Sequence, residues 1–217
     1  MKSQIIIIIL GLVLVSACID ETYSLINNKS FNQQETKELI ALLHQFDKTV
    51  CEIENIDGRN INECYESFYK RMWNEYHEGP FNIGISTQQQ EELLNLLSEE
   101  LKDDIWYYGT AIIGGELPTD NFDTIKSISL NQKKYYSFLE NEASTVNSNT
   151  KEYFQKLKTM GDISPSMYAD VAYNYAQYDI SDDRSKLLFV IHYLTFNQNN
   201  LLLKEAYARL DPNWGKK

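Results

Sequence analysis

Leu39, Leu43, Phe46, Val50 and Ile53 recur at spacings that place all five on one face of a helix of about 20 residues. Asp57-Gly58 then supplies a turn. Asn60 with Glu63 has the form of a capping box and opens a second helix, with Ile61, Tyr65, Phe68, Met72 and Tyr76 on one face before Gly79-Pro80 stops it. The two predict an αα-hairpin. Ser86 with Gln89 announces a third helix carrying Leu93, Leu94, Leu97 and Leu101.

The pattern is ambiguous from Ile105 to Ile113, where aromatic and β-branched residues suit a strand while the helical stripe also continues; helix or irregular structure is expected, with a short strand as the alternative. Gly114-Gly115 through Asn121, with Pro118, is the strongest central break and the candidate division between two halves. Capped patterns then resume. Ser129 with Gln132 is read as a helix start with Leu130, Tyr136 and Leu139 inward. Val146, Thr150, Tyr153, Leu157 and Met160 form a stripe ended by Gly161. Ser164-Pro165 opens a helix with Tyr168, Val171, Ala172 and Tyr175 inward. Ser181 and the acids Asp182-Asp183 precede Leu187, Leu188, Ile191 and Leu194, and a separate last helix is expected over Leu201 to Leu210. The expected fold is all-α, an array or bundle of about eight helices built from αα-hairpins, with a candidate β segment near 105–113. Ala208 to Asn213 is similar to the end of a tetratricopeptide unit, but Asn200 and Lys204 stand where that pattern needs small and aromatic packing residues, so a generic helical array is kept.

The first 17 residues do not belong to this pattern. Lys2 is followed by an apolar run from Ile5 to Val15, then by Ser16, Ala17 and Cys18, which is the grammar of a secretory signal. The run is too short to span a bilayer, which needs roughly 20 apolar residues. Val15-Ser16-Ala17-Cys18 resembles the lipobox of bacterial lipoproteins. That resemblance implies cleavage before Cys18, acylation of Cys18 by palmitate-type chains, and a protein tethered to a membrane without crossing it. Ile19 after the Cys, in place of the Asp that retains enteric-type lipoproteins at the inner membrane, implies the outer membrane; Asp20-Glu21 resembles the acidic surface-export signals of some Bacteroidetes lipoproteins. The expected location is therefore the bacterial cell envelope, facing periplasm or cell surface. Residues 18–33, rich in Asn, Ser and Gln, are read as a flexible tether, and 34–217 as the helical domain.

Export changes the meaning of the cysteines. Cys51 and Cys64 lie equidistant from Asp57-Gly58, so an antiparallel hairpin sets them at similar heights, in a compartment where disulfides persist. A disulfide is the expectation, two free buried cysteines the alternative, and a catalytic thiol a distant third.

With only 9 Gly and 4 Pro among 217 residues, a turn-rich sandwich or barrel is disfavoured, and 43% apolar residues suffice for a core. The net charge of -11 argues against nucleic acid as a partner, because that affinity rests on cationic contacts. Chemistry-bearing motifs are sparse. His44, His77 and His192 are the only histidines, none preceded three positions earlier by Glu, and His77-Glu78 runs into Gly-Pro rather than a zinc-protease motif. His44 and His192 lie beside apolar stripes and are read as core-edge residues. No nucleophile elbow, phosphate-binding glycine loop or Cys-x-x-Cys is present, so no catalytic residue, metal ligand or cofactor is assigned.

The compositional surplus is tyrosine, 15 against 9 Phe and 3 Trp. Hydroxylated rings suit half-buried positions. Most are expected to line helix-packing rims; Trp73, Tyr76, Trp106, Tyr107, Tyr108, Tyr173 and Tyr178 are the candidates for a recognition face. The functional expectation is a lipid-anchored, non-enzymatic domain that binds a protein partner, an immunity or inhibitor protein being one concrete form. The alternative is an envelope enzyme or a glycan-binding accessory lipoprotein.

Overall fold

Asn32 starts the first helix: its side chain accepts the N–H groups of Gln34 and Glu35, while the Glu35 carboxylate accepts the Asn32 N–H. Two of the four orphan donors of the helix end are thereby satisfied, together with the Asn32 N–H just before it. This helix, α1 (Gln33–Glu54), is the first of eight among the described residues of the computed structural model, which are 25, 28–57, 60–78, 83–114 and 122–210. The others are α2 (Ile61–Glu78), α3 (Thr87–Leu94), α4 (Glu99–Ile105), α5 (Lys134–Asn141), α6 (Ser148–Met160), α7 (Pro165–Asn174) and α8 (Asp183–Leu210). Strands β1 (Trp106–Gly114) and β2 (Phe122–Leu130) separate α4 from α5. The fold is mostly helical with one short two-stranded sheet.

The α1–α2 hairpin forms as its periodicity predicts, with Leu39, Leu43, Phe46, Val50, Tyr65, Phe68 and Met72 all buried. A disulfide joins Cys51 to Cys64, whose Cα atoms are 4.9 Å apart. Closing a loop of this size contributes about 3 kcal/mol through the unfolded chain.

Several boundaries differ from those expected. The third helix breaks after Leu94 because Ser98 caps a new one, accepting the Leu101 N–H, so Leu101 belongs to α4. The stretch from Trp106 is a strand, and its partner β2 occupies the segment read as leading to a helix at Ser129; α5 starts only at Lys134. Met160, placed on a buried stripe by spacing, is exposed. The last two expected helices are one helix of 28 residues, within which Asn197 and Asn199 are occupied in tertiary hydrogen bonds. Asn197 donates to Ile85 O and Gln90 Oε1, and Gln90 in turn donates to Leu194 O. From Leu187 to Thr195 every residue of α8 is buried, so this helix is the axis of the molecule rather than an amphipathic rim.

The tether does not extend over 28–33. Leu25 and Phe31 are buried, Phe31 lies 5.3 Å from Phe138 between ring centroids, and Asn28 hydrogen-bonds Thr36. The Glu142 carboxylate accepts the N–H groups of Lys29 and Ser30 and the Ser30 hydroxyl.

The hairpin sheet is continuous, with Trp106 opposite Leu130 and Gly114 opposite Phe122. Asn131 N–H donates to Ile105 O, which fixes the phase of the ladder: residues 107 and 109 exchange bonds with β2, and 106, 108 and 110 point their backbone groups away from it. The phase of β2 agrees, since Ile128 turns its N–H and C=O outward and both meet the side chain of Asn199 on α8, at 2.9 and 2.8 Å. An amide side chain thus takes the place of a third strand. Residues from both sides of segment 115–121 join one hydrophobic core.

Candidate binding surface

The core absorbs most of the tyrosine surplus. Tyr65, Tyr69, Tyr135, Tyr153, Tyr168 and Tyr193 are almost wholly enclosed. Burial raises the pKa of each, since the phenolate would lose its hydration. Four of the hydroxyls reach polar partners: Tyr65 donates to Asp47, Tyr168 to His192 O at 2.6 Å, Tyr135 to Leu188 O, and Tyr153 shares a hydrogen bond with His192 Nδ1; those of Tyr69 and Tyr193 are buried and meet no hydrogen-bond partner among the described residues. His192 is fully inside, not at the core edge. Desolvation lowers its pKa to about 3, and its Nε2 has no partner among the described residues. His44 is exposed, and the side chain of His77 lies outside what is described.

The seven aromatic candidates separate into three groups. Trp106 and Tyr178 are interior. Trp106 donates its indole N–H to Thr195 Oγ1 at 2.7 Å, and Tyr178 packs edge-on against Phe189 while its hydroxyl donates to Asp170. Neither can contribute to an exposed face. Strand alternation put Trp106 on the side of α8, an outcome hidden while 105–113 was read as helix or irregular structure.

Tyr107 and Tyr108 are exposed on β1, at 54% and 58% of their surface.

Trp73, Tyr76 and Tyr173 come together. Trp73 and Tyr76 stand one turn apart on α2 with rings stacked at 6.3 Å, and Tyr173 reaches over from α7 to within 4.6 Å of the Trp73 ring, tilted by 41°. Beneath them Tyr69 stacks on Tyr175 at 5.2 Å and pins the end of α7 to α2. Tyr173 is 64% exposed, Tyr76 borders on exposed, and Trp73 is half-buried and packs on the core. Arg71 braces this end of α2: its guanidinium bonds Glu54 and Glu75 and donates to Ile83 O at 2.9 Å. Gly84 leaves room for it. With φ at +85° and an added Cβ only 3.1 Å from Arg71 Nη2, that position favours glycine on both counts. The three rings therefore form one partly exposed aromatic cluster, two of them on a cross-linked hairpin.

A cleft of about 830 Å³ lies elsewhere, lined by Lys29, Ser30, Lys133, Lys134, Glu142 and Arg184 among others. Sequence reasoning did not find it, because its cations come from three distant segments. Two of its cations are paired, Lys134 with Glu35 and Asp104 and Arg184 with Asp182, and Glu142 accepts the N–H groups of Lys29 and Ser30. The described residues hold no group of three or more His, Cys, Asp or Glu able to bind a metal, and no described helix is long and apolar enough to cross a membrane. Cys18 lies outside the described residues. No family model, curated protein or solved structure matches this chain.

Proposed function

We propose that this chain is a lipid-anchored protein of a bacterial cell envelope whose helical domain binds a protein partner through Trp73, Tyr76 and Tyr173, in the manner of an immunity or inhibitor protein. The observation that carries the reading is that these three rings meet at the surface of a fold that otherwise turns most of its aromatics inward. Trp and Tyr are the residues that dominate binding energy at protein interfaces, because a rigid ring contributes large contact area at low entropic cost. The half-buried Trp73 holds the more exposed Tyr173 in place, so little ordering remains to oppose association. Anchoring rests on the lipobox resemblance around Cys18.

The test is affinity capture from envelope extracts with the full chain. A specific protein partner retained by the native chain and by Tyr107→Ala, and weakened by about 10-fold or more for Tyr173→Ala combined with Trp73→Ala, supports the reading. Equal capture by all three, with helical content unchanged, would sink it.

A further inference from the structure

The cleft beside α5 gathers cations that the acidic chain around it does not neutralise. Lys29 and Lys133 line it and are exposed, and no described residue pairs with either ammonium group. Thr145 on its wall also borders an adjoining hollow of about 590 Å³, which carries Lys151, a third exposed lysine with no partner among the described residues. Two acids share this face. Glu140 is paired with Lys158, and Glu142 turns its carboxylate to the N–H groups of Lys29 and Ser30. Three ammonium groups therefore outnumber what is left to balance them, a local reversal of sign in a chain of net charge -11.

We propose that this face rests on the membrane that holds the lipid anchor, with Lys29, Lys133 and Lys151 bound to the phosphates of anionic phospholipid headgroups. The proposal rests on the lipobox reading of Cys18. The length of the leash points to this occupant. Leu25 lies seven residues after Cys18, a covalent span of at most about 25 Å. A domain of this size is roughly 40 Å across, so the leash is shorter than the body it holds. Leu25 is wholly buried, and its C=O accepts both the N–H and the side-chain amide of Asn28, which turns the chain there and keeps Lys29 close to it. The side of the body that carries Lys29 is thus kept near the headgroups. Charge acts in the same direction: an anionic surface repels the acidic remainder and attracts the unpaired lysines, which favours the orientation in which they face it. That attraction fades within a Debye length of about 8–10 Å, and a leash that starts in the bilayer lets the lysines come to contact.

The experiment is lysine labelling read by mass on the full chain, purified in detergent from bacterial membranes and reconstituted into vesicles of phosphatidylcholine alone or mixed with phosphatidylglycerol. Lys29, Lys133 and Lys151 should be labelled at least about 3-fold more slowly on the mixed vesicles, and high salt should remove the difference. Lys70 and Lys204, which line neither hollow, should keep one rate on both. Lys133→Glu combined with Lys151→Glu, at two exposed and unpaired positions, should abolish the protection of Lys29 without changing helical content. Equal labelling on the two kinds of vesicle, or slowing that extends equally to Lys70 and Lys204, overturns the headgroup contact and leaves the anchor standing. A chain that floats with neither kind overturns the anchor, and the contact with it. Inorganic phosphate that protects the three lysines equally well in detergent without lipid assigns the cleft to a small soluble anion and overturns the lipid as its occupant.

Discussion

His192 shows what a single buried residue does to the pH response of the whole. Its folded pKa of about 3 lies below the ordinary histidine value because the charged ring would be stripped of water. Between that value and the unfolded one, the unfolded chain binds the extra proton. The stability tied to neutral His192 is thus fully present above about pH 6.5 and is lost as pH falls toward 3, by up to about 1.4 kcal/mol per pH unit. Urea denaturation at pH 7, 5.5 and 4.5 should therefore fall more steeply for the native chain than for His192→Asn, a replacement that keeps a polar group near the Tyr153 hydroxyl. Parallel slopes would show that His192 does not titrate in this way. Periodicity placed His192 beside an apolar stripe but could not show that α8 is buried all round, which requires knowing what packs on its other faces.

At the scale of elements, Asn199 is the residue that makes a two-stranded hairpin part of the core. An isolated hairpin is marginal in water; here the Ile128 backbone is fastened to the central helix. Replacing Asn199 by Leu leaves both groups without a partner and should cost about 1–3 kcal/mol, with faster exchange of the Ile128 amide as the local signature. Asn199→Asp, which retains an acceptor for the Ile128 N–H but loses the donor to its C=O, should fall between. The same elements show where reading the sequence failed. The α1–α2 hairpin, the Ser86 capping box and the Gly161 stop were legible because spacing and caps are local. Strand β2 was hidden because Ser129 and Gln132 imitate a capping box, and α8 was read as two helices because its two leucine-rich stretches were taken separately, whereas Asn197 and Asn199 lie inside one helix and bond Ile85, Gln90 and Ile128. Of the recognition candidates, side-chain type alone could not separate Tyr173, which is outside, from Tyr178, which is inside.

For the whole molecule, charge, anchor and surface act together. An acidic body attached through acylated Cys18 would present its aromatic cluster from the membrane surface, where the proposed partner must pass. Cys18→Ala should abolish palmitate labelling and move the chain from the membrane fraction to the soluble one, while leaving the melting of the folded domain unchanged; labelling that persists would remove the anchor from the proposal. The disulfide between Cys51 and Cys64 suits such a setting, because it holds the hairpin that bears Trp73 and Tyr76.

The clasp of Glu142 on the backbone of Lys29 and Ser30 has a mechanical consequence. A body held through its N-terminal end receives any pull along the chain at the first point where that chain is fastened. Among the described residues the fastening begins with Leu25, wholly buried in the core, and continues at the junction of Ser30 and Phe31 with the end of α5, both ahead of the Asn32 cap. Load is therefore shared between two segments more than a hundred residues apart before it can begin to peel the first turn of α1, so the carboxylate of Glu142 works as a strain relief for the domain it belongs to.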